Sequence, residues 1–296
     1  MAYTTTELLD SIKVRAAMPT NQNTYTTARM LAIADDELRA YFIPLIMKAR
    51  EYYYAYDVTT SLNATGVYDI HTRAIGGKLI NAYLLSGTQK LDLAWLNEEE
   101  MTQTDQPADG RPGIYFKRSQ VFLKPADPGY DSLVQTILLR PGNLCATSAA
   151  AQITGISGTT LSFAASTIPS TWTTSNTFDL VQQNPHFDTL GIDLTASSIT
   201  LTTIVLSATP SSRLAVGDWI SLANTTPVVQ IPVELQNLHS TKCAATILRA
   251  QGSKDSADRA DAEIKEMEKN VWPIYSQRIE DEGKKIVQRN GILRRL

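Results

Sequence analysis

Cysteine is nearly absent: Cys145 and Cys243 are the two in 296 residues. Two thiols make neither a disulfide framework nor a cysteine-ligated zinc site, which excludes a secreted disulfide scaffold and a zinc ribbon. Long apolar runs are missing too. None approaches the ~18–20 residues a helix needs to cross a bilayer. The opening Met1-Ala2-Tyr3-Thr4 lacks the basic-then-apolar layout of a signal peptide. No membrane partner is expected. Charge of one sign is also scarce: 27 Lys and Arg against 30 Asp and Glu leave −3, so the whole chain is no generic polyanion binder.

Total charge is low as well, at 19%, against roughly 25% in an average soluble domain. The deficit is local. Between Gly142 and Val233 the only ionised residues are Asp179, Asp188, Asp193, Arg213 and Asp218. That stretch is dense in Thr, Ser, Ile, Leu and Val, which, turn-forming Ser apart, suit a pleated, half-buried surface. The charged flanks carry helical spacing instead. The fold class expected is α+β: N- and C-terminal segments form a helical bundle, and a large β-rich domain, sandwich- or barrel-like, is inserted between them. The boundaries expected are 1–77 and 231–296 for the helical body and 78–230 for the insertion, with 142–230 as its charge-poor part.

Thr4 with Glu7 offers a capping box, followed by Leu8, Leu9, Ile12 and Ala16 on one helix side. From about Ala28 to Tyr56 apolar residues recur every three or four positions, with Pro44 expected to kink or break the helix. Asp69 to Ile75 reads as a short helix stopped by Gly76-Gly77. The period then changes to two. Strands are expected at Leu79–Leu85, Leu91–Leu96, Gly113–Lys117, Gln120–Leu123 and Leu133–Leu139, with a helical turn from Asn97 to Met101. Ile156–Phe163 recurs as Leu194–Leu201, and each copy ends in a similar strand, Thr177–Val181 and Gly217–Leu222. This reads as an internal duplication in a small two-part β-sandwich or barrel. From Ile231 helices return, one with Pro232 in its first turn and Gly252 as stop. A second starts near Ser253 or Ser256, bends at Trp272-Pro273 and continues through Ile286.

Enzyme and metal motifs are weak. His71, His186 and His239 have no metal-ligand spacing between them. Gly155-Ile156-Ser157-Gly158-Thr159 lacks the last glycine of a nucleophile elbow, and Gly76-Gly77-Lys78 lacks the upstream glycine of a phosphate loop. Asp35-Asp36-Glu37 reads as a solvated or interface face of a helix. Asp255, Asp258 and Asp261 read as helix N-terminal charges. No enzyme activity and no cofactor are expected.

Two features point to partners. Gly283 to Leu296 carries Lys284, Lys285, Arg289, Arg294 and Arg295 and no acid. Ile292, Leu293 and Leu296 lie among the arginines, so this arm suits docking on a partner better than free solvation. Tyr52, Tyr53 and Tyr54, with Tyr56, read as helical; consecutive aromatics on a helix point in different directions, so at least one is expected to be exposed or in a subunit interface. Stacking on nucleic acid would want interleaved basic residues.

Several segments together resemble a known family. Ala32 to Tyr54 resembles the second helix of tailed-bacteriophage structural proteins. So do Tyr68 to Lys78 and Leu139-Arg140-Pro141. Gly217-Asp218 and Gln230 to Leu235 complete the likeness. The family is that of head-to-tail connector or adaptor (head-completion) proteins, which form a ring, commonly twelve-fold, beneath the portal. The resemblance implies a structural virion protein at the head–tail interface, made in the host bacterial cytoplasm. Its implied partners are further copies of itself, the portal protein through the C-terminal arm, tail tube, nozzle or other tail proteins, and genomic DNA passing through the channel non-specifically. A receptor- or glycan-binding β module on a helical stalk is the alternative, and a hydrolase would require catalytic side chains converging in one cleft.

Overall fold

A computed structural model describes residues 3–19, 24–50, 52–96, 112–126, 128–183 and 187–276. The chain is α+β. Helix α1 (Thr5–Arg15) starts at the expected capping box: Glu7 N–H and the Thr4 hydroxyl, and Thr4 N–H and the Glu7 carboxylate, satisfy each other. Helix α2 (Thr27–Glu37) is capped by Thr26 and runs into a π-helical turn, Leu38–Phe42, and then α3 (Ile43–Ala49). Pro44 has no N–H to give and sits in the first turn of α3. The wide turn just ahead of it, closed by Ile43 N–H on Leu38 O, absorbs the lost bond.

The helix ends at Ala49, not near Tyr56. Tyr52–Tyr54 form a turn, and Tyr56 already lies in strand β1 (Ala55–Ser61). Strands therefore begin well ahead of position 78. A second expectation also fails: Asp69 to Ile75 is not helical. It spans the end of β2 (Val67–Asp69), a turn, and the start of β3 (Ala74–Ser86). Gly76 and Gly77 both have positive φ, +64° and +62°, at a register shift in β3. The same glycines that would stop a helix here make a bulge.

Strands β4 (Gln89–Asp92), β5 (Ala94–Trp95), β6 (Gly113–Lys117), β7 (Gln120–Lys124) and β8 (Ser132–Leu139) follow. Leu93 divides the run expected as one strand at Leu91–Leu96, and Asn97 to Met101 lies outside the described residues. Two four-stranded sheets result, β1-β8-β3-β4 and β2-β7-β6-β5. Ala82, Leu84, Leu133 and Ile137 of the first share a core with Tyr68, Ile114, Val121 and Leu123 of the second. This is a small sandwich.

The charge-poor region forms a separate closed barrel of β10 (Ala150–Ser157), β11 (Thr160–Phe163), β12 (Thr177–Val181), β13 (Thr189–Ile199), β14 (Thr203–Leu206) and β15 (Trp219–Leu222). The order around it is β10-β11-β14-β13-β12-β15, and every neighbouring pair is antiparallel. Exchanging β10, β11 and β12 for β13, β14 and β15 maps that order onto itself, as a duplicated three-stranded unit requires. The equivalence is shifted from the sequence match, however. Ile156 faces Leu161 across the first hairpin tip, and Ile199 faces Ile204 across the second. The counterpart of Ile156 is Ile199, not Leu194.

After the barrel come β16 (Thr225–Thr226), α4 (Val233–Ala250) and α5 (Lys254–Ser276). Pro232 caps α4 and Gly252, at φ +76°, follows its end. One core contains Leu8, Ile12, Met30, Ala34 and Phe42 from the first three helical segments. It also contains Leu235, Leu238, Cys243, Ile247 and Ile264 from α4 and α5. His239 is buried there with Nε2 3.0 Å from Ala34 O and its ring edge-on to Phe42.

A narrow neck joins barrel and body. The short strand β9 (Asn143–Leu144) on the way in pairs in parallel with β16 on the way out. The N-terminus clasps both: Thr5 N–H donates to Pro227 O and its hydroxyl to Cys145 O, while Val229 N–H donates to Tyr3 O. Asp35, expected on a solvated or interface face of the helix, accepts Leu144 N–H at 2.9 Å within the chain. Burial pushes its carboxyl up to about 6.

Candidate binding cleft

The strand register builds a polar row that no single segment contains. Thr136 of β8 stands opposite Asp57 of β1 on one side and Asn81 of β3 on the other. Thr136 Oγ1 donates to one Asp57 oxygen at 2.5 Å and the Tyr83 hydroxyl to the other at 3.1 Å. This row is one wall of a cleft of about 730 Å³ between the first sheet and the barrel. The barrel supplies the other wall from Phe187 to Leu190 and from Ser211 and Arg213.

All four sequence-flagged tyrosines line this cleft, though not for the reason the sequence suggested. The turn after α3 and the start of β1, not a helix, set their directions. Tyr52 is 58% exposed at the lip. Tyr53 and Tyr54 meet edge-to-face with centroids 4.9 Å apart. Tyr54 is buried, and its hydroxyl donates to Gln230 O at 3.2 Å. Tyr56 is half-buried; desolvation, and then the charge of Asp179, raise its hydroxyl above the ordinary tyrosine value. Tyr83 is raised as well, by desolvation first and then by Asp57. These phenols stay protonated and serve as donors and stacking faces.

The charges in the cleft are matched. Lys90 sits 4.0 Å over the Tyr83 ring and 3.5 Å from Asp92, and Arg213 pairs with Asp188. Among the described lining residues there is no histidine or cysteine, and the Ser211 hydroxyl accepts Arg213 N–H. Such a surface offers ring faces and hydrogen-bonding groups with paired charges. Asp57, Tyr83, Lys90 and Arg213 carried no sequence signal, because only cross-strand register brings them together.

Beside the cleft a buried seam fixes the barrel to the sandwich. Arg73 pairs with Asp179 at 2.5 Å, both side chains almost fully buried. Asp179 also accepts Asp193 and Asn224 N–H groups. Burial raises the Asp179 carboxyl, opposed chiefly by the charge of Arg73. His71 Nδ1 accepts Arg73 N–H, so the protonated Nε2 donates to Asp193 at 2.9 Å. His71 and His239 thus sit in different contacts far apart, and His186 lies outside the described residues. Among the described residues no group of His, Cys, Asp and Glu side chains could hold a metal ion. No described helix is long and apolar enough to cross a membrane.

The arm residues Lys284, Lys285, Arg289, Ile292, Leu293, Arg294, Arg295 and Leu296 lie outside the described residues. No family model and no curated protein matches this chain.

Proposed function

We propose that this chain is a structural protein of a bacteriophage particle: a ring-forming adaptor that links the portal to the tail. The observation that supports this reading is the single core shared by α1–α3 and α4–α5. It makes a firm body from both ends of the chain, leaves α5 on the outside leading toward the basic arm, and carries sandwich and barrel as a unit. A ring subunit needs such a body with one surface for each neighbour. The arm from Lys284 to Leu296 is the proposed portal contact, and the tyrosine cleft a proposed subunit or tail-protein contact. Genomic DNA would pass without specific binding, consistent with a net charge of −3 that does not trap a polyanion.

Deleting Asn290–Leu296 tests this. The expected product is a folded chain that no longer binds the portal in pull-down or in particle assembly; undiminished portal binding would overturn the arm's role. The cleft favours a second reading, a receptor- or glycan-binding module, because its matched charges and tyrosine faces suit a neutral saccharide. A glycan array probed with the full chain separates the two, since saturable binding there supports the module and its absence the adaptor. A fragment 78–230 would lose β1 and the start of β3, so the full chain is required.

A further inference from the structure

We propose that the free edge of β1 pairs with the same edge of a second copy of this chain, antiparallel and about a two-fold axis through Thr59. The inference goes beyond the ring reading and stands or falls apart from it.

The register shows which backbone groups are free. Tyr54 O accepts Leu139 N–H at 2.8 Å, and Leu62 N–H donates to Asp131 O at 3.3 Å. Hydrogen-bonded pairs alternate along an antiparallel ladder, so Tyr56, Val58 and Thr60 also turn their main chain to β8. Asp57, Thr59 and Ser61 turn theirs the other way, and on that side β1 is the outer strand of its sheet. All three residues are exposed, and their main-chain N–H and C=O groups have no partner among the described residues.

The other sheet edges are blunted. In β2, Val67 O accepts the Asn63 side-chain amide at 3.0 Å, and Val67 N–H donates to the Thr65 hydroxyl at 3.4 Å. Strand β4 has four residues and carries Lys90 and Asp92, and β5 has two residues. The barrel is closed. Short, charged or locally satisfied strands of this kind keep sheets from joining edge to edge. Strand β1 spans seven residues, and Val58 to Ser61 holds no charge, proline or bulge.

A second β1 fits this edge better than any other strand edge of the described chain. With Thr59 opposite Thr59 of the second copy, Asp57 stands opposite Ser61 on each side of the axis. The free groups of all three residues are then paired, because residues opposite one another in such pairs exchange both bonds. The threonine pair is a favourable cross-strand contact, and no like charges are opposed. Asp57 already accepts the Thr136 and Tyr83 hydroxyls, and the Ser61 hydroxyl is a further donor. The contact is isologous, so it is complete at two copies. Copies that face one way around a ring cannot make it, and the pair is therefore a state of the free chain.

The test uses the full-length chain, with sedimentation and light scattering over a concentration series. The wild type should rise from the mass of one chain to that of two. Thr59 is exposed, and circular dichroism checks that each variant folds. T59K and T59E place like charges across the axis, and each alone should lose the dimer over the whole series. Their equimolar mixture should regain it, because Lys then faces Glu. A thiol readout fixes the register. T59C should give a disulfide-linked dimer under mild oxidation, beyond any seen for the wild type. S61C should not, because its two positions lie roughly 14 Å apart along the paired strands, past disulfide reach. A wild type of one-chain mass throughout overturns the proposal. So does an assembly whose mass T59K leaves unchanged, a mixture that fails to pair, or S61C linking as readily as T59C. The adaptor reading is judged separately, by portal binding of the arm-deleted chain.

Discussion

The helical body and the barrel each enclose a core, and they arrive at it by opposite routes. In the body, helices distant in sequence interlock large side chains, and no Asp, Glu, Lys or Arg of the described helices is fully buried. In the barrel, a closed ladder satisfies the backbone internally and leaves no free strand edge. Its two buried acids hold backbone groups: Asp218 accepts Gln183 and Ala215 N–H groups while Asp179 accepts those of Asp193 and Asn224. The difference explains the uneven charge of the sequence. A closed barrel needs little charge to fold, whereas a helical body exposes long flanks that stay in water or meet a partner.

The largest expected effects probe whether the two cores are independent. Phe42→Ala empties the centre of the body, and Phe178→Ala removes the ring packed at 5.1 Å on Trp172 inside the barrel. Each should cost about 3–5 kcal/mol. Phe42→Ala should lower the denaturation midpoint seen by helical circular dichroism, and Phe178→Ala that seen by fluorescence of barrel residues Trp172 and Trp219. Identical shifts in both signals for both variants would show a single cooperative unit instead.

Cutting the connection between the regions comes next. Arg73→Ala strands the buried Asp179 carboxylate and should cost about 3 kcal/mol. A double-mutant cycle with Asp179→Asn should recover part of that loss; strictly additive effects would mean that the pair does not couple barrel to sandwich.

The body should also respond to acid through His239, whose proton affinity burial lowers to about 4 from 6.5. The folded chain holds this ring neutral while the unfolded chain protonates it. Its contribution is therefore complete above pH 6.5 and is lost as pH falls toward 4, by about 3 kcal/mol in all. Asp35, raised to about 6, acts with the opposite sign below that pH. The measurement that isolates His239 is thus the difference between wild type and His239→Leu. That difference should shrink between pH 6.5 and 4, and a constant difference would contradict the assignment.

The smallest effect sharpens the comparison inside the barrel. The first hairpin tip turns through Gly158 at φ +58°, whereas the second is held by the Thr200 hydroxyl, which accepts Thr202 and Thr203 N–H groups. Gly158→Ala should cost about 1 kcal/mol and Thr200→Ala a similar amount. Leu201→Ala, at a side chain 78% exposed, should cost nothing measurable in thermal melts.

Much of this architecture was legible in the chain. The Thr4–Glu7 box, the three-four spacing of α2 and α3 and the alternation of β6, β7 and β8 each report a local rule. So does the β character of the neutral middle. What escaped was set by distant contacts. Gly76-Gly77 serves a helix end or a bulge equally well, and only pairing with β8 decides. The aromatic run at Tyr52–Tyr54 continues the helix pattern, but Tyr54 is buried against Gln230 in the neck, where a turn is needed. The Thr-rich repeat matches itself at more than one offset, because short threonine strings are self-similar, and hairpin register alone selects Ile199. In the cleft, the tyrosines were visible as composition, while Asp57, Thr136 and Asn81 become one row only through strand order.

The adaptor role is tested most directly by electron microscopy of the assembled particle, with this chain traced at the head–tail junction. The account predicts a closed ring of copies under the portal, with the helical body of each against that of the next. Density for the chain in a fibre or a receptor-facing tip, or its absence from the particle, would contradict it.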